Sequence, residues 1–213
     1  MIELSTFISV GPMNLIVRFL KTIVCFVLLL LCASCSVSQA IPATDYLSLL
    51  RHVKDLLSFC ILILGLEPCY KIQLIPRYYY AIYNLARLVY NNTRNRDPSR
   101  HRKTWQMMPP SISQDGNNFR NERNKNDYNP YTISDKDLYN QLSMIETSTI
   151  LDKLVKEVSN TVNKYQDFSP NFDRSQFEKN VNSLLSEIRT KNDELKTKIN
   201  RSLNNNNLPG SNT

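Results

Sequence analysis

Residues 177 to 199 read FEKNVNSLLSEIRTKNDELKTKI. Phe177, Val181, Leu184, Ile188, Leu195 and Ile199 hold one register, with Lys191 standing where an apolar residue is missing. Spacings of three and four put these side chains on one face of an α-helix. Glu187 with Lys191, and Glu194 with Lys198, are i,i+4 pairs in the favourable order, each worth about 0.2–0.5 kcal/mol. Asp173 is placed to cap this helix. The stretch before it repeats the pattern. Leu138, Leu142 and Ile145 make a first stripe, Thr147-Ser148-Thr149 shifts the phase, and Leu151, Val155, Val158, Val162 and Tyr165 continue it. Ser134 with Asp137 forms a variant capping box, and Ser169-Pro170 ends the segment. Both stripes follow a seven-residue repeat, so residues 134–203 are expected to form an antiparallel helix pair.

The same reasoning gives a second helical unit. Tyr46, Leu50, Val53, Leu57, Cys60 and Leu64 form a stripe on a helix from Asp45 to about Leu64, with Thr44 as its cap. Gly65 and Pro68 close that helix, and Pro76 suits the start of the next. The second helix runs to about Tyr90 through Tyr78, Tyr79, Ile82, Leu85, Ala86 and Val89. Residues 41–90 are therefore expected to form a helical hairpin. Glycine is scarce, only 4 in 213 residues. Sheets need glycine in their tight turns, so the scarcity agrees with a mostly α fold.

Between the two units, residues 91–133 are rich in Asn, Arg, Pro and Ser and carry little periodicity. They are expected to be a basic, disordered linker. Its densest charge is Arg94, Arg96, Arg100, His101, Arg102 and Lys103, followed by Trp105. Residues 204–213, with four consecutive Asn, read as a disordered tail.

The N-terminus carries an export pattern. Arg18 and Lys21 precede the apolar run Thr22–Ala33, and Ser38 and Ala40 take the small-residue positions of a cut before Ile41. Residues 1–40 are thus expected to be a secretory signal, starting functionally at Met13, and the chain to be secreted. An uncleaved single-pass anchor is the alternative, because Leu15–Leu20 lengthens the apolar segment toward the roughly 20 residues a spanning helix needs. Removing residues 1–40 leaves 24 basic and 18 acidic residues. That balance suits acidic partners, polyanions or a membrane surface.

Cys25, Cys32 and Cys35 lie inside the signal, so Cys60 and Cys69 remain as one expected disulfide in an oxidising compartment. Asn91-Asn92-Thr93 and Asn200-Arg201-Ser202 are sequons, placing candidate glycans on Asn91 and Asn200. The chemistry-bearing residues are few. His52 and His101 are the only histidines, and neither has a local nucleophile signature. The chain has no glycine-rich phosphate loop, no calcium loop and no zinc-ligand spacing. No catalytic residue, cofactor or metal is therefore expected, and no specific nucleic-acid binding.

Two short segments resemble known motifs. Arg77-Tyr78-Tyr79-Tyr80-Ala81 with Leu85 and Leu88 resembles the helical part of neuropeptide-Y-type hormones, without their proline-rich arm or amidation signal. Arg51-His52-Val53-Lys54-Asp55 resembles the export pentamer of malaria-parasite proteins, with Val53 where that motif has Leu. Neither covers enough of the chain to carry a function.

The expected function is that of a secreted, non-enzymatic helical protein acting on an unknown protein partner or on itself through its stripes. Tyr78, Tyr79 and Tyr83 are candidate contact residues, because tyrosine is enriched at interfaces. Arg100, Arg102 and Lys103 are candidates for a polyanion or for processing. The alternatives are a precursor cut near Arg100–Lys103 and a membrane-associated protein held by an uncleaved N-terminal helix or by the apolar segment 59–66.

Overall fold

The computed structural model describes residues 40–66, 68–98, 101–128, 133–167 and 169–205, without the side chains of Pro68, Cys69 and Asn205. The expected signal up to Gln39, Arg100, and residues 206–213 of the expected tail lie outside the described residues. The elements are α1 (Ala43–Ile63), the short α2 (Pro68–Lys71), α3 (Leu74–Arg94), α4 (His101–Gln106), α5 (Pro110–Tyr128), α6 (Asp135–Thr147), α7 (Ile150–Thr161), a 3-10 turn (Val162–Lys164) and α8 (Arg174–Asn205). The fold is mostly helical, as composition and periodicity imply.

The hairpin of α1 and α3 is antiparallel. Cys60 Sγ meets the Leu74 carbonyl at its closed end, and Asn92 donates to the Tyr46 hydroxyl at its open end. Helix α3 is the axis of the molecule, packing against α1, α4, α5, α6 and α7. It buries residues around most of its circumference, the stripe of Arg77, Tyr80, Arg87 and Arg94 excepted, which is why Tyr78, Tyr79, Ala81, Ile82, Leu85, Ala86 and Val89 are all in the core. Helix α8, about 48 Å long at 1.5 Å per residue, runs antiparallel to α7. Ser159 bonds Asn182, Asn192 bonds Asp152, and Lys196 bonds the Ser148 carbonyl. The same helix runs parallel to α1, where Tyr46 meets Phe177 and Lys54 meets Glu187. Hairpin and C-terminal helices therefore share one hydrophobic core and are not separate units.

Side-chain caps fix two helix starts. Ser134 and Asp137 form the complete reciprocal capping box. Asp173 Oδ1 accepts from the Gln176 amide at 3.0 Å, capping α8. The phase shift at Thr147-Ser148-Thr149 is a real break, with α6 ending at Thr147 and α7 starting at Ile150. The α8 stripe is completed by Asn192 and not by Lys191. Asn192 is fully buried, its Nδ2 donating to Asp152 Oδ1 and its Oδ1 accepting from the Tyr78 hydroxyl. Thr44 lies inside α1, whose N-cap position is Pro42.

Two expectations are corrected. Residues 91–133 are not a disordered linker. Arg94 still belongs to α3, and α4 and α5 occupy much of the stretch. Helix α5 crosses α3 antiparallel, with Phe119 against Tyr78 at 5.1 Å and Asn126 donating to the Ile72 carbonyl at 2.6 Å. Its buried face is Ile112, Gly116, Phe119 and Asn126, a helical stripe hidden by having Gly and Asn at two of its four places. Gly116 is required for the close approach. A Cβ there would stand well inside contact distance of the Trp105 indole. At the C-terminus, Asn204 lies in α8 and donates to Asn200 Oδ1 at 2.8 Å, so the helix continues into the stretch expected to be tail.

The disulfide is the second correction. Cys60 is a free, buried thiol. It belongs to the α1 stripe that faces α3, so its sulfur lies in the seam beside the Leu74 carbonyl, 3.8 Å away.

Candidate interaction surface

The tyrosine-rich run 78–83 builds a clasp that holds α4 and α5 onto α3. Trp105 Nε1 reaches the Tyr79 hydroxyl at 3.3 Å, and that hydroxyl lies 2.8 Å from His101 Nδ1. An indole N–H only donates, so Tyr79 accepts from Trp105, and the Tyr79 hydroxyl and His101 Nδ1 share a hydrogen bond whose direction follows the His101 tautomer. The Arg123 guanidinium lies 5.2 Å from the Tyr79 ring centroid and 5.5 Å from that of Tyr80. Such cation–π contacts contribute about 0.5–2 kcal/mol each.

Burial pushes the Tyr79 and Tyr83 hydroxyls above the ordinary tyrosine range. Burial, with Arg123, Arg120 and Arg87 nearby, holds His101 below the ordinary histidine value. A raised phenol is a poor nucleophile and a poor acid. The clasp is arranged to pack and to hydrogen-bond. Tyr78 and Tyr79 are fully buried and Tyr83 nearly so. The structure thus places these three sequence-level contact candidates in the core, where their rings hold helices together.

The basic candidates divide. Arg102 and Lys103 are exposed on α4, near exposed Arg94 and Arg96 at the end of α3, while His101 turns inward onto Tyr83. A protease cutting at Arg102 or Lys103 would have to unwind α4. The Arg51–Asp55 pentamer lies in mid-helix with Val53 fully buried.

The two sequons also divide. Asn200 is exposed on α8. Asn91 is buried, and its Oδ1 accepts from the Ile41 amide at 2.9 Å. Its neighbours are engaged as well. Asn92 donates to Tyr46 and Thr161 hydroxyls, tying α1, α3 and α7 together, and the Thr93 hydroxyl donates to the Val89 and Tyr90 carbonyls.

A further exposed surface is the tip of the α1–α3 hairpin, which includes the apolar segment 59–66 offered by the sequence as a membrane contact. Phe59, Leu62, Leu66 and Tyr70 are 44 %, 62 %, 44 % and 56 % exposed. Phe59 and Leu62 stand one turn apart on α1. Gly65 and Leu66 amides donate back to the Leu62 and Ile63 carbonyls, continuing the winding past the helix end. Beside Phe59 the Arg77 guanidinium lies over the ring at 5.6 Å. A shallow cavity of about 350 Å³ opens there, lined by His52, Asp55, Leu56, Phe59 and Arg77. The all-round apolar run Phe59–Leu64 is legible as a signal, but it reads equally as burial on several sides.

Among the described residues, no group of His, Cys, Asp and Glu is placed to hold a metal ion. No helix among them is long and apolar enough to cross a membrane. No protein-family model matches the chain, and neither curated proteins nor solved structures give a significant match.

Proposed function

We propose that this chain is an exported, non-enzymatic helical protein that acts by binding a protein partner through the apolar tip of its α1–α3 hairpin. The observation that carries the reading is the exposure of Phe59, Leu62, Leu66 and Tyr70 within one short stretch. Isolated exposed apolar residues are ordinary, but clustered ones mark interaction sites. Covering a Leu or Phe side chain fully contributes about 1.5–3 kcal/mol, so a partner seated here gains substantially from three or four anchors. Tyrosine and arginine at the rim, here Tyr70 and Arg77, are residue types that dominate binding hot spots. The export part of the reading is supported by the signal-like pattern of residues 1–40.

The test is capture from the native extracellular fluid with a chain starting at Ile41, run beside its Leu62→Ser/Leu66→Ser variant. A captured protein is then purified and its affinity for both chains measured. The proposal expects at least a tenfold loss for the variant at unchanged helicity. Equal affinities would move the site elsewhere.

A further inference from the structure

The residues just after the expected cut are held unusually firmly for a chain entry. The Ile41 amide donates to Asn91 Oδ1 at 2.9 Å. The Ile41 carbonyl accepts from the Tyr165 hydroxyl at 2.7 Å. The Ala43 amide donates to Asp167 Oδ2 at 3.1 Å. The Ile41 side chain is 6 % exposed and part of the core. The stretch from Ile41 to Ala43 is thus tied to α3 and to the segment after the 3-10 turn, whereas the start of an ordinary domain frays.

The surroundings are also acidic. Ala40, Ile41 and Pro42 line two open cavities, of about 450 and 340 Å³. Asp45, His52, Arg87 and Asp97 line the first, and Tyr165 and Asp167 the second. Arg87 is engaged by Asp97 in a bidentate pair, which leaves Asp45 and Asp167 as net negative charge around Ile41. Asn91, 1 % exposed, has a side-chain Nδ2 with no hydrogen-bond partner. Its fixed Oδ1 presents an acceptor to whatever stands at the Ile41 nitrogen.

We propose that Ile41 is the seated N-terminus of the mature protein, its α-ammonium donating to Asn91 Oδ1 inside this acidic recess. The cut adds one water across the Ala40–Ile41 amide. The carbonyl leaves as the Ala40 carboxylate, and the nitrogen stays as the Ile41 ammonium. A neutral N–H···O bond thereby becomes a charge-assisted one, roughly twice as strong. The ammonium's two further N–H protons then lie in the recess where Asp45 and Asp167 supply the net negative charge. Export maturation and completion of the fold are in this way one event. The inference rests on the export reading for the origin of the cut, but the seat itself is a property of the folded chain.

The two are tested apart. A chain starting at Ile41, released from a removable tag, keeps the whole described core. It is compared with the same chain N-acetylated. The ammonium, stabilised by carboxylates, contributes in full below the unfolded α-amino value of about 7.7–8.0 and is lost as pH rises through its higher folded value. At pH 6 the free-amine chain should therefore melt about 2–4 °C above the acetylated one, and the gap should close by about pH 10. Asn91→Asp should widen the gap at pH 6. Identical melting of the two forms at pH 6 and 10, or an Asn91→Asp effect equal in both, would overturn the seat. N-terminal sequencing of the natural protein decides the export reading separately. A retained leader would end that reading and Ile41's place as the mature terminus, and the melting comparison would then stand as a test of the seat alone.

Discussion

The His101 imidazole lies flat on the Tyr83 ring, with centroids 3.7 Å apart and planes at 10°. The ring is fixed at its edge by the Tyr79 hydroxyl, 2.8 Å from Nδ1. Protonation sets a cation in a part-buried site beside Arg123, Arg120 and Arg87, and burial together with those guanidiniums already lowers the ring's affinity for a proton. The unfolded chain then binds the proton more readily than the folded one, so stability rises with pH across this titration. Thermal melting of the wild type should be level between about pH 6.5, the ordinary histidine value, and about pH 7.5, and fall as the solution is acidified below that window. His101→Gln removes the titration. Its melting temperature should be lower at neutral pH and flatter from pH 7 to 5. A variant with the wild-type slope would place the pH sensitivity in other groups.

Gly116→Ala tests the packing of α5. Alanine favours the helix by about 0.8–1.0 kcal/mol, but its Cβ meets the Trp105 indole. The indole is pinned through Nε1 to Tyr79, so it cannot swing freely. Overpacking costs about 1–3 kcal/mol, and a net destabilisation in urea unfolding is expected. Trp105 is the only tryptophan, so its fluorescence should shift in the folded variant. An unchanged spectrum with raised stability would show that α5 does not lie on Trp105.

Cys60 gives a test of the hairpin seam. Burial pushes its thiol up to about 12, and the thiolate is the reactive form. Peptide-resolved alkylation should find Cys60 unlabelled in the native protein and fully labelled in denaturant. Cys60 recovered in a disulfide after alkylation without reductant would contradict the seam.

The sequons separate on burial. Expressed in a eukaryotic secretory system, the chain should carry glycan at Asn200 and none at Asn91, as read by glycosidase treatment and peptide mapping. Asn91→Gln should lower stability through the lost Ile41 contact while leaving the mobility shift on deglycosylation unchanged. A glycan found on Asn91 of folded protein would contradict its burial beneath Ile41.

Much of this fold is legible in the spacing of apolar residues. The stripes through Tyr46, Leu50, Val53 and Leu57, and through Phe177, Val181, Leu184 and Ile188, are buried as their spacing requires. The Ser134 box and the Asp173 cap form at the positions their residue types favour. The missed helix α5 and the missed place in α8 share one cause. A stripe is visible only while its members are apolar. Gly116 and Asn126 fill half of the α5 stripe, and Asn192 fills a place in that of α8, because a close approach or a buried hydrogen bond is needed there. Composition then mistakes a packed helix for a linker. The clasp shows the converse. Tyr79 and Tyr83 look like recognition residues along the chain, yet their neighbours across space, Trp105 and His101, bury them. The parallel alignment of α1 and α8, which merges two expected units into one core, depends on contacts more than a hundred residues apart, and no local pattern encodes it.

The most direct measurement of the proposed function is the affinity of a purified partner for the Ile41-starting chain and for its Leu62→Ser/Leu66→Ser variant, with melting curves of both. Surface substitutions of this kind normally alter stability by no more than about 0.5 kcal/mol. The account predicts matching melting curves and binding at least tenfold weaker in the variant. Equal binding by two equally stable chains would contradict it.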